Sequence, residues 1–426
     1  MISTDSHGSE IEAERLNEGG GMPLPKVLRW FWIGSAITFA LTLLVGFLEF
    51  RAGMNLYRWS GFDTPYFRDL IEDLPAFRLL HTALFFDPAS STPVAYPPFG
   101  AVELMLLYAT GRPVISFLVL ALAALGLVVW GVRCALVKSG IDRRTAILFP
   151  LTLSLISFPI QKLVVQGNIE IFLWIFTAAG AWAFLRDRND IAAIFWGLAA
   201  ASKLYPAALL LLFLPRRRFR AFTVGFIVFV VASVLSMVYL GPDLGVVWKG
   251  SLQNVFGYQQ LRAAELSTRE LNANHSWFLL VKFVAAVFGM SALALVKLYY
   301  VGGGLLFLAV FFGRLRKMPV ANQLLAVSIF MLTLPTISYF HTLVNLYAPL
   351  LMLFFVAVRA DKAGVRIDGL STAILLFIPL FASFQLFTFP TVFLFCGVVQ
   401  TVLLLVLFLY AVQYPFELPG RGERIG

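Results

Sequence analysis

Apolar runs recur along most of this chain, and they constrain its fold more than any motif does. Such runs stand at 28–49, 114–137, 145–165, 169–185, 219–240, 292–313, 320–339, 342–358, 369–388 and 391–411. Crossing a hydrocarbon core of about 30 Å takes roughly 20 apolar residues in a helix. In lipid every backbone N–H and C=O must be satisfied within the protein, which leaves helices or a closed barrel. A barrel strand would alternate apolar and polar residues over about 10 positions. These runs are continuous instead, so the expected fold is all-α, a polytopic transmembrane helical bundle. Composition agrees: 60% of the 426 residues are hydrophobic and 13% are charged, against about 25% charged in a typical soluble domain.

The basic residues mark topology. The net charge of +10 lies at the ends of apolar runs, which argues for membrane orientation and against a nucleic-acid partner. Arg186 and Arg188 precede the stretch 190–215, and Arg216, Arg217, Arg218 and Arg220 follow it. Both flanks are then cytoplasmic, and the stretch reads as a hairpin of two short helices broken near Lys203-Leu204-Tyr205-Pro206. The segments 97–111 and 276–290 read as re-entrant or interfacial. Counting the hairpin as two gives about 12 spans. The clusters at 138–144, 216–220, 314–317 and 359–366 then fall inside together with both termini. Residues 1–25 read as a disordered cytoplasmic tail, 26–415 as one transmembrane domain and 416–426 as a second cytoplasmic tail. Two polar stretches fall outside, at about 50–96 and 241–275. Cys134 and Cys396 sit in apolar runs and read as small buried hydrophobes. No cysteine, histidine and acid cluster has metal-ligand spacing, and no cofactor is expected.

Against this apolar background a few polar residues stand out. The stretch TISYFHTLVNLYAPLL, 336–351, carries His341 and Asn345 one helical turn apart. Ionisable groups within membrane segments face protein or water and are functional by default. Lys203, in the broken hairpin, is such a group, and a phosphate would be a natural counter-ion. Glu103 lies in an apolar helix just after Tyr96-Pro97-Pro98. Gln166 and Asn168 offer amides at the outer end of one span. The first outer loop holds Asp63, Asp69, Glu72, Asp73 and Asp87. Phe67, Leu70, Leu74, Phe77, Leu80 and Leu84 have helical spacing, which predicts an amphipathic surface helix over 66–86. The second outer loop, read over 248–277, adds Arg262, Arg269, Asn272, Asn274, His275 and Ser276. Side chains of this kind hold sugar hydroxyls or phosphate. In this topology an acid, a lysine, a histidine and a tyrosine-proline motif converge at one height in the membrane.

The ordered set of motifs resembles glycosyltransferase family 87. The set is an acidic first outer loop ending in Tyr96-Pro97-Pro98; Gln166-Gly167-Asn168; the run 197–206 leading into Arg216-Arg217-Arg218-Phe219-Arg220; Asn274-His275-Ser276; and Pro335 to His341 with Pro349 downstream. The resemblance covers roughly 60–350. It implies a GT-C fold and transfer of a hexosyl group, typically mannosyl, from a polyprenyl-phosphate-sugar donor. The acceptor would be a lipid-linked or glycan hydroxyl on the outer side of the cytoplasmic membrane. It implies inversion at the sugar, with an aspartate of the first outer loop as general base: Asp73 first, Asp69 second. His341 would help hold phosphate or acceptor. Lys203, Tyr96, Gln166, Asn168, Asn274, His275, Arg262 and Tyr339 are the expected substrate-binding residues. At the histidine the aromatic pair Tyr339-Phe340 stands where the family has a tryptophan-acid pair.

A polytopic transporter or flippase is the alternative. It would favour inverted repeats and a site near the bilayer midplane, whereas the polar residues here concentrate in two outer stretches. Besides the donor and acceptor, membrane lipids are the only partners the residues imply, and oligomeric state is not written in them.

Overall fold

The computed structural model describes residues 23–51, 66–72, 77, 80–82, 85, 96–241, 243–264, 266–381 and 396–418. Its helices are α1 (Lys26–Arg51), α2 (Arg68–Glu72), α3 (Pro98–Tyr108), α4 (Pro113–Lys138), α5 (Arg143–Ile156), α6 (Phe158–Gln166), α7 (Glu170–Leu185) and α8 (Asn189–Ser202). They continue as α9 (Phe219–Leu240), α10 (Leu244–Ala264), α11 (Thr268–Ala273), α12 (Phe278–Val287), α13 (Ala292–Gly313), α14 (Val320–Thr333), α15 (Tyr347–Lys362), α16 (Leu370–Phe381) and α17 (Cys396–Gln413). Two longer 3-10 segments, Tyr205–Phe213 and Phe340–Leu346, interrupt the series. No strand occurs among the described residues, so the fold is the expected all-α membrane bundle.

The expected count of about 12 spans is not confirmed. Among the described residues six helices are long and apolar enough to cross a membrane, or seven if the bent pair α5–α6 is one span. Shorter apolar helices of 10–17 residues among the described residues include α3, α7, α12, α14 and α16. Hydropathy measures how apolar a run is and is blind to where its helix breaks. The expectation for 190–215 agrees with the structure: α8 ends at Ser202, Lys203 is extended, and a 3-10 segment follows. Pro206 has no N–H to bond back to residue 202, so an α-helix cannot run through. The stretch 241–275 is mostly helical, as α10 and α11.

The surface helix expected over 66–86 is not formed as predicted. Helix α2 is a single turn ending at Glu72, and the described residues 77, 80–82 and 85 lie in turns or 3-10 geometry. His81 has φ 63, which an α-helix does not accommodate. Pro75 also lacks the N–H that a helix continuing from Glu72 would need. The expected tail 1–25 falls largely outside the described residues, as does the end of the expected tail 416–426.

Burial sorts the helices into two groups. Helices α4, α9 and α13 expose large apolar side chains such as Leu122, Leu127, Leu235, Leu298 and Leu306, as lipid-facing helices do. By contrast, every residue of α14 is buried. It packs against the 3-10 segment 205–213 and against α17. Helices α7, α8 and α9 pack side by side. Trp196 closes the core between Phe184 and Phe213, with ring centroids 5.1 and 5.3 Å away.

The breaks position the site. Ser157, with extended backbone, separates α5 from α6 at a 57° bend, and its hydroxyl caps α6 through Ile160 N–H. Gly167 ends α6 in the left-handed conformation, φ 66. A Cβ there would come 3.1 Å from Leu70 Cβ, so glycine also makes room for α2, which docks through a Phe67 N–H bond to the Val165 carbonyl, 2.6 Å. At Gly100 a Cβ would come 2.8 Å from the Ser202 carbonyl oxygen. Only glycine lets α3 come this close to the end of α8. The breaks at 157, 167–169, 203–204 and 334–339 are where the buried polar side chains gather.

Candidate functional site

One polar cluster assembles at the junction of α2, α6, α7, α8 and the segment 334–346. Helix α7 starts with Asn168 Oδ1 accepting from Glu170 N–H, 2.9 Å, which satisfies a donor at the helix start. The Asn168 amide donates to Asp69 Oδ2, 2.6 Å. Burial raises the Asp69 carboxyl above the usual carboxylate range, while the Asn168 bond and the Lys203 charge pull it back down. Glu170, fully buried, receives Lys203 Nζ at 2.6 Å, Asn345 Nδ2 at 2.6 Å and the Tyr205 hydroxyl. Asn345 Oδ1 in turn accepts from Thr177, 2.8 Å.

His341 joins the cluster through Nδ1, 2.8 Å from Gln166 Oε1. A bond to the Gln166 carbonyl oxygen requires a proton on Nδ1 and leaves Nε2 free to accept when the ring is neutral. The Lys203 and Lys162 charges act on this ring. Lys203 also acts on Asp69 and on Glu103, so its ammonium is the electrostatic centre of the group. Glu103 Oε1 accepts from Ser202, 2.6 Å, and its Oε2 has no hydrogen-bond partner among the described residues.

A second cluster lies alongside. Glu270 receives Lys282 Nζ at 3.2 Å, Asn274 Nδ2 at 3.0 Å and the Tyr339 hydroxyl at 2.7 Å. Lys282 also donates to the Arg262 carbonyl, 2.6 Å. Asn274, His275 and Ser276 clasp the break after α14. Asn274 Oδ1 accepts from Ser276 N–H and Ser338 N–H, and its amide donates to the Thr336 carbonyl. Ser276 Oγ donates to the Thr333 carbonyl. The His275 N–H donates to the Ser338 carbonyl, 2.8 Å. These bonds serve carbonyls that the end of a helix leaves open. The His275 ring is fully buried, with Nε2 2.9 Å from Ser338 Oγ. Burial holds its pKa down at about 3, so the ring is neutral at physiological pH.

The structure therefore divides the expected site residues. Asp69, Gln166, Asn168, Lys203 and His341 come together in the first cluster. Asn274, His275 and Tyr339 belong to the second. Tyr339 links the two, its ring centroid 6.3 Å from that of His341. Arg262 is half-buried, its guanidinium 5.5 Å from the Tyr258 ring centroid. Tyr96 packs into the apolar core where α3 begins. Asp73 and the side chain of Arg269 lie outside the described residues.

Comparison with known families uses the same part of the chain. The family model for glycosyltransferase family 87 matches residues 95–338, more than half of the 426. The chain belongs to glycosyltransferase family 87. No curated protein and no solved structure matches it. The family 87 match encloses Tyr96, Gln166, Asn168, Lys203, Arg262, Asn274 and His275, whereas Asp69, Tyr339 and His341 flank it. Membership makes the protein a membrane glycosyltransferase.

Sequence reasoning missed Glu170 as the partner of Lys203, and it missed the Glu270–Lys282 pair altogether. The rule that singled out Lys203 could have found both. Glu170 opens one apolar helix and Lys282 lies within another, and a charge at such a position needs a partner of the opposite sign.

Proposed function

We propose that this family 87 enzyme transfers a hexosyl group, mannosyl in the first instance, from a polyprenyl-phosphate-sugar donor. The acceptor is a lipid-linked or glycan hydroxyl on the outer side of the cytoplasmic membrane, and the bundle is of the GT-C type. What carries the reading is one arrangement: an Asp69 carboxylate oxygen with no hydrogen bond among the described residues, the partly exposed side chain of Lys203 and an imidazole on His341, gathered at helix breaks.

The chemistry divides among these groups. The acceptor oxygen attacks the anomeric carbon on the face opposite the phosphate, so the sugar inverts. Asp69 Oδ1, which has no hydrogen bond among the described residues while Asn168 holds Oδ2, takes the acceptor's proton. Burial favours this step, because a carboxylate of raised pKa is a stronger base. The C–O bond to the lipid phosphate breaks, and the negative charge stays on that phosphate. Lys203 holds that charge with donors not engaged by Glu170. His341 contributes a further contact to phosphate or acceptor. Phosphate leaves readily as an anion, so no second carboxyl is needed to protonate it. The apolar groove between α3, α8 and α9, lined by Phe99, Val102, Leu198, Val231 and Leu235 among others, suits a polyprenyl chain, and its Leu198 carbonyl accepts from the Ser202 hydroxyl.

The test uses purified protein in lipid, radiolabelled polyprenyl-phosphate-mannose and the host's lipid extract. Label is expected to move to a new lipid with wild type and to stay on the donor with Asp69→Asn. If Asp73→Asn abolishes transfer while Asp69→Asn does not, the base is Asp73. No transfer with any polyprenyl-phosphate sugar would overturn the reading in favour of transport.

A further inference from the structure

A group of arginines at the opposite end of α7 and α8 takes no part in the chemistry above. The turn from α7 to α8 carries Arg186 and Arg188. The turn from the 3-10 segment into α9 carries Arg216, Arg217, Arg218 and Arg220. Arg216 Nη1 lies 3.9 Å from Asp187 Oδ1, and Arg220 Nη2 lies 3.1 Å from Asp190 Oδ2. The two turns are therefore side by side. Each passes through a non-glycine residue in the left-handed region, Asp187 at φ 56 and Arg217 at φ 53.

The guanidinium groups are arranged on the surface. Arg186 lies 4.4 Å and Arg188 5.9 Å from the Trp182 ring centroid, and Arg216 lies 4.6 Å from that of Phe184. Arg217 and Arg218 are exposed, and neither has an ion pair among the described residues. Trp182 and Phe219 stand beside them, 49% and 61% exposed. Exposed aromatic rings among arginines at helix ends mark a bilayer interface. Helix α7 has 16 residues and α8 has 14, which at 1.5 Å per residue puts the patch roughly 21–24 Å from the Lys203–Glu170 pair. That approaches the hydrocarbon thickness of about 30 Å.

We propose that this double turn is a binding site for the phosphate headgroups of anionic membrane lipids, with Arg217 and Arg218 as the principal contacts and Trp182 and Phe219 set among the acyl chains. Cations excluded from lipid for topology alone need only reach water. Here, ring stacking on Trp182 and Phe184 fixes three guanidinium groups beside two that have no ion pair among the described residues, and their planar forks match phosphate oxygens in pairs. The site is separate from the glycosyl-transfer cluster and holds whatever the transferred sugar is.

The experiment is lipid retention by the purified full chain, read by native mass spectrometry against dioleoyl-phosphatidylglycerol and dioleoyl-phosphatidylcholine. Wild type is expected to retain the anionic lipid at least about tenfold in preference. The variant R186Q/R188Q/R217Q/R218Q is expected to lose that preference, and the control R359Q/K362Q to keep it. Should the fourfold variant not fold, a salt titration of wild type replaces it, since the preference must fall as screening rises. Equal retention of both lipids by wild type, an unchanged preference in the fourfold variant or insensitivity to salt overturns the proposal. Displacement of the lipid by millimolar inorganic phosphate overturns the lipid assignment and makes the site one for a free anion.

Discussion

Among the described residues two lysine–glutamate pairs have a fully buried glutamate, and they are built differently. In both, the glutamate is fully buried and receives a lysine, an asparagine and a tyrosine: Lys203, Asn345 and Tyr205 on Glu170, and Lys282, Asn274 and Tyr339 on Glu270. The lysines differ. The Lys282 side chain is 1% exposed and also bonds the Arg262 carbonyl. The Lys203 side chain is 19% exposed and is held by Glu170 alone among the described residues. An ammonium has three donors. Those of Lys282 are turned into the scaffold, whereas Lys203 retains donors that a ligand can reach. The same pair of residues acts as a fastening in one place and as a binding group in the other.

The largest expected effect breaks the fastening. Lys282→Met leaves Glu270 charged and uncompensated in the interior, which costs about 3–5 kcal/mol. Little folded protein should be recovered, as read by monodisperse yield and thermal unfolding. Adding Glu270→Gln should restore folding and most of the transferase activity. A Lys282→Met protein as stable as wild type would show that Lys282 does not fasten Glu270.

Next in size is the loss of Lys203. Lys203→Met should fold better than Lys282→Met, because the Lys203 side chain is partly exposed and water can take part of the place of the lost ammonium, whereas the Lys282 side chain is sealed from water. Its transfer rate should fall by about 100-fold or more. Adding Glu170→Gln should restore stability but not activity, the reverse of the result for the other pair. His341→Ala should lower transfer by about 100-fold with unfolding unchanged, and full activity in that variant would remove His341 from the chemistry.

These contrasts also show how far the sequence could be read. Runs such as 219–240 and 292–313 are legible because lipid demands an unbroken apolar helix, and the structure has α9 and α13 there. Pro206 announced the hairpin break, since proline removes a donor wherever it stands. Lys203 and His341 stood out against an apolar background. What was not legible is pairing between distant residues. Gln166 and His341 are 175 residues apart, and Asn168 and Asp69 are 99 apart. The polar residues of 241–275 looked like a loop because nothing local shows that Asn274 and Ser276 serve carbonyls of 333–338. The predicted surface helix failed because apolar spacing over 66–86 ignores Pro75 and the turn at His81.

The smallest effects distinguish the clusters by pH. Burial raises the Asp69 carboxyl, and the Asn168 bond lowers it by stabilising the charged form. Removing that bond with Asn168→Ala raises the Asp69 pKa further, so the acid limb of kcat/KM should move to higher pH if Asp69 is the base. An unmoved limb would assign the base elsewhere. In the second cluster the group to watch is His275, whose folded pKa of about 3 lies below its ordinary 6.5. The unfolded chain then binds more protons than the native state as pH falls below about 6.5. Stability attached to a neutral His275 is complete above that value and is lost progressively toward pH 3. His275→Asn should therefore flatten the fall in thermal stability on acidification and leave the kcat/KM limb in place. A shift of that limb would mean that His275 touches the chemistry and that the fastening cluster is part of the active site.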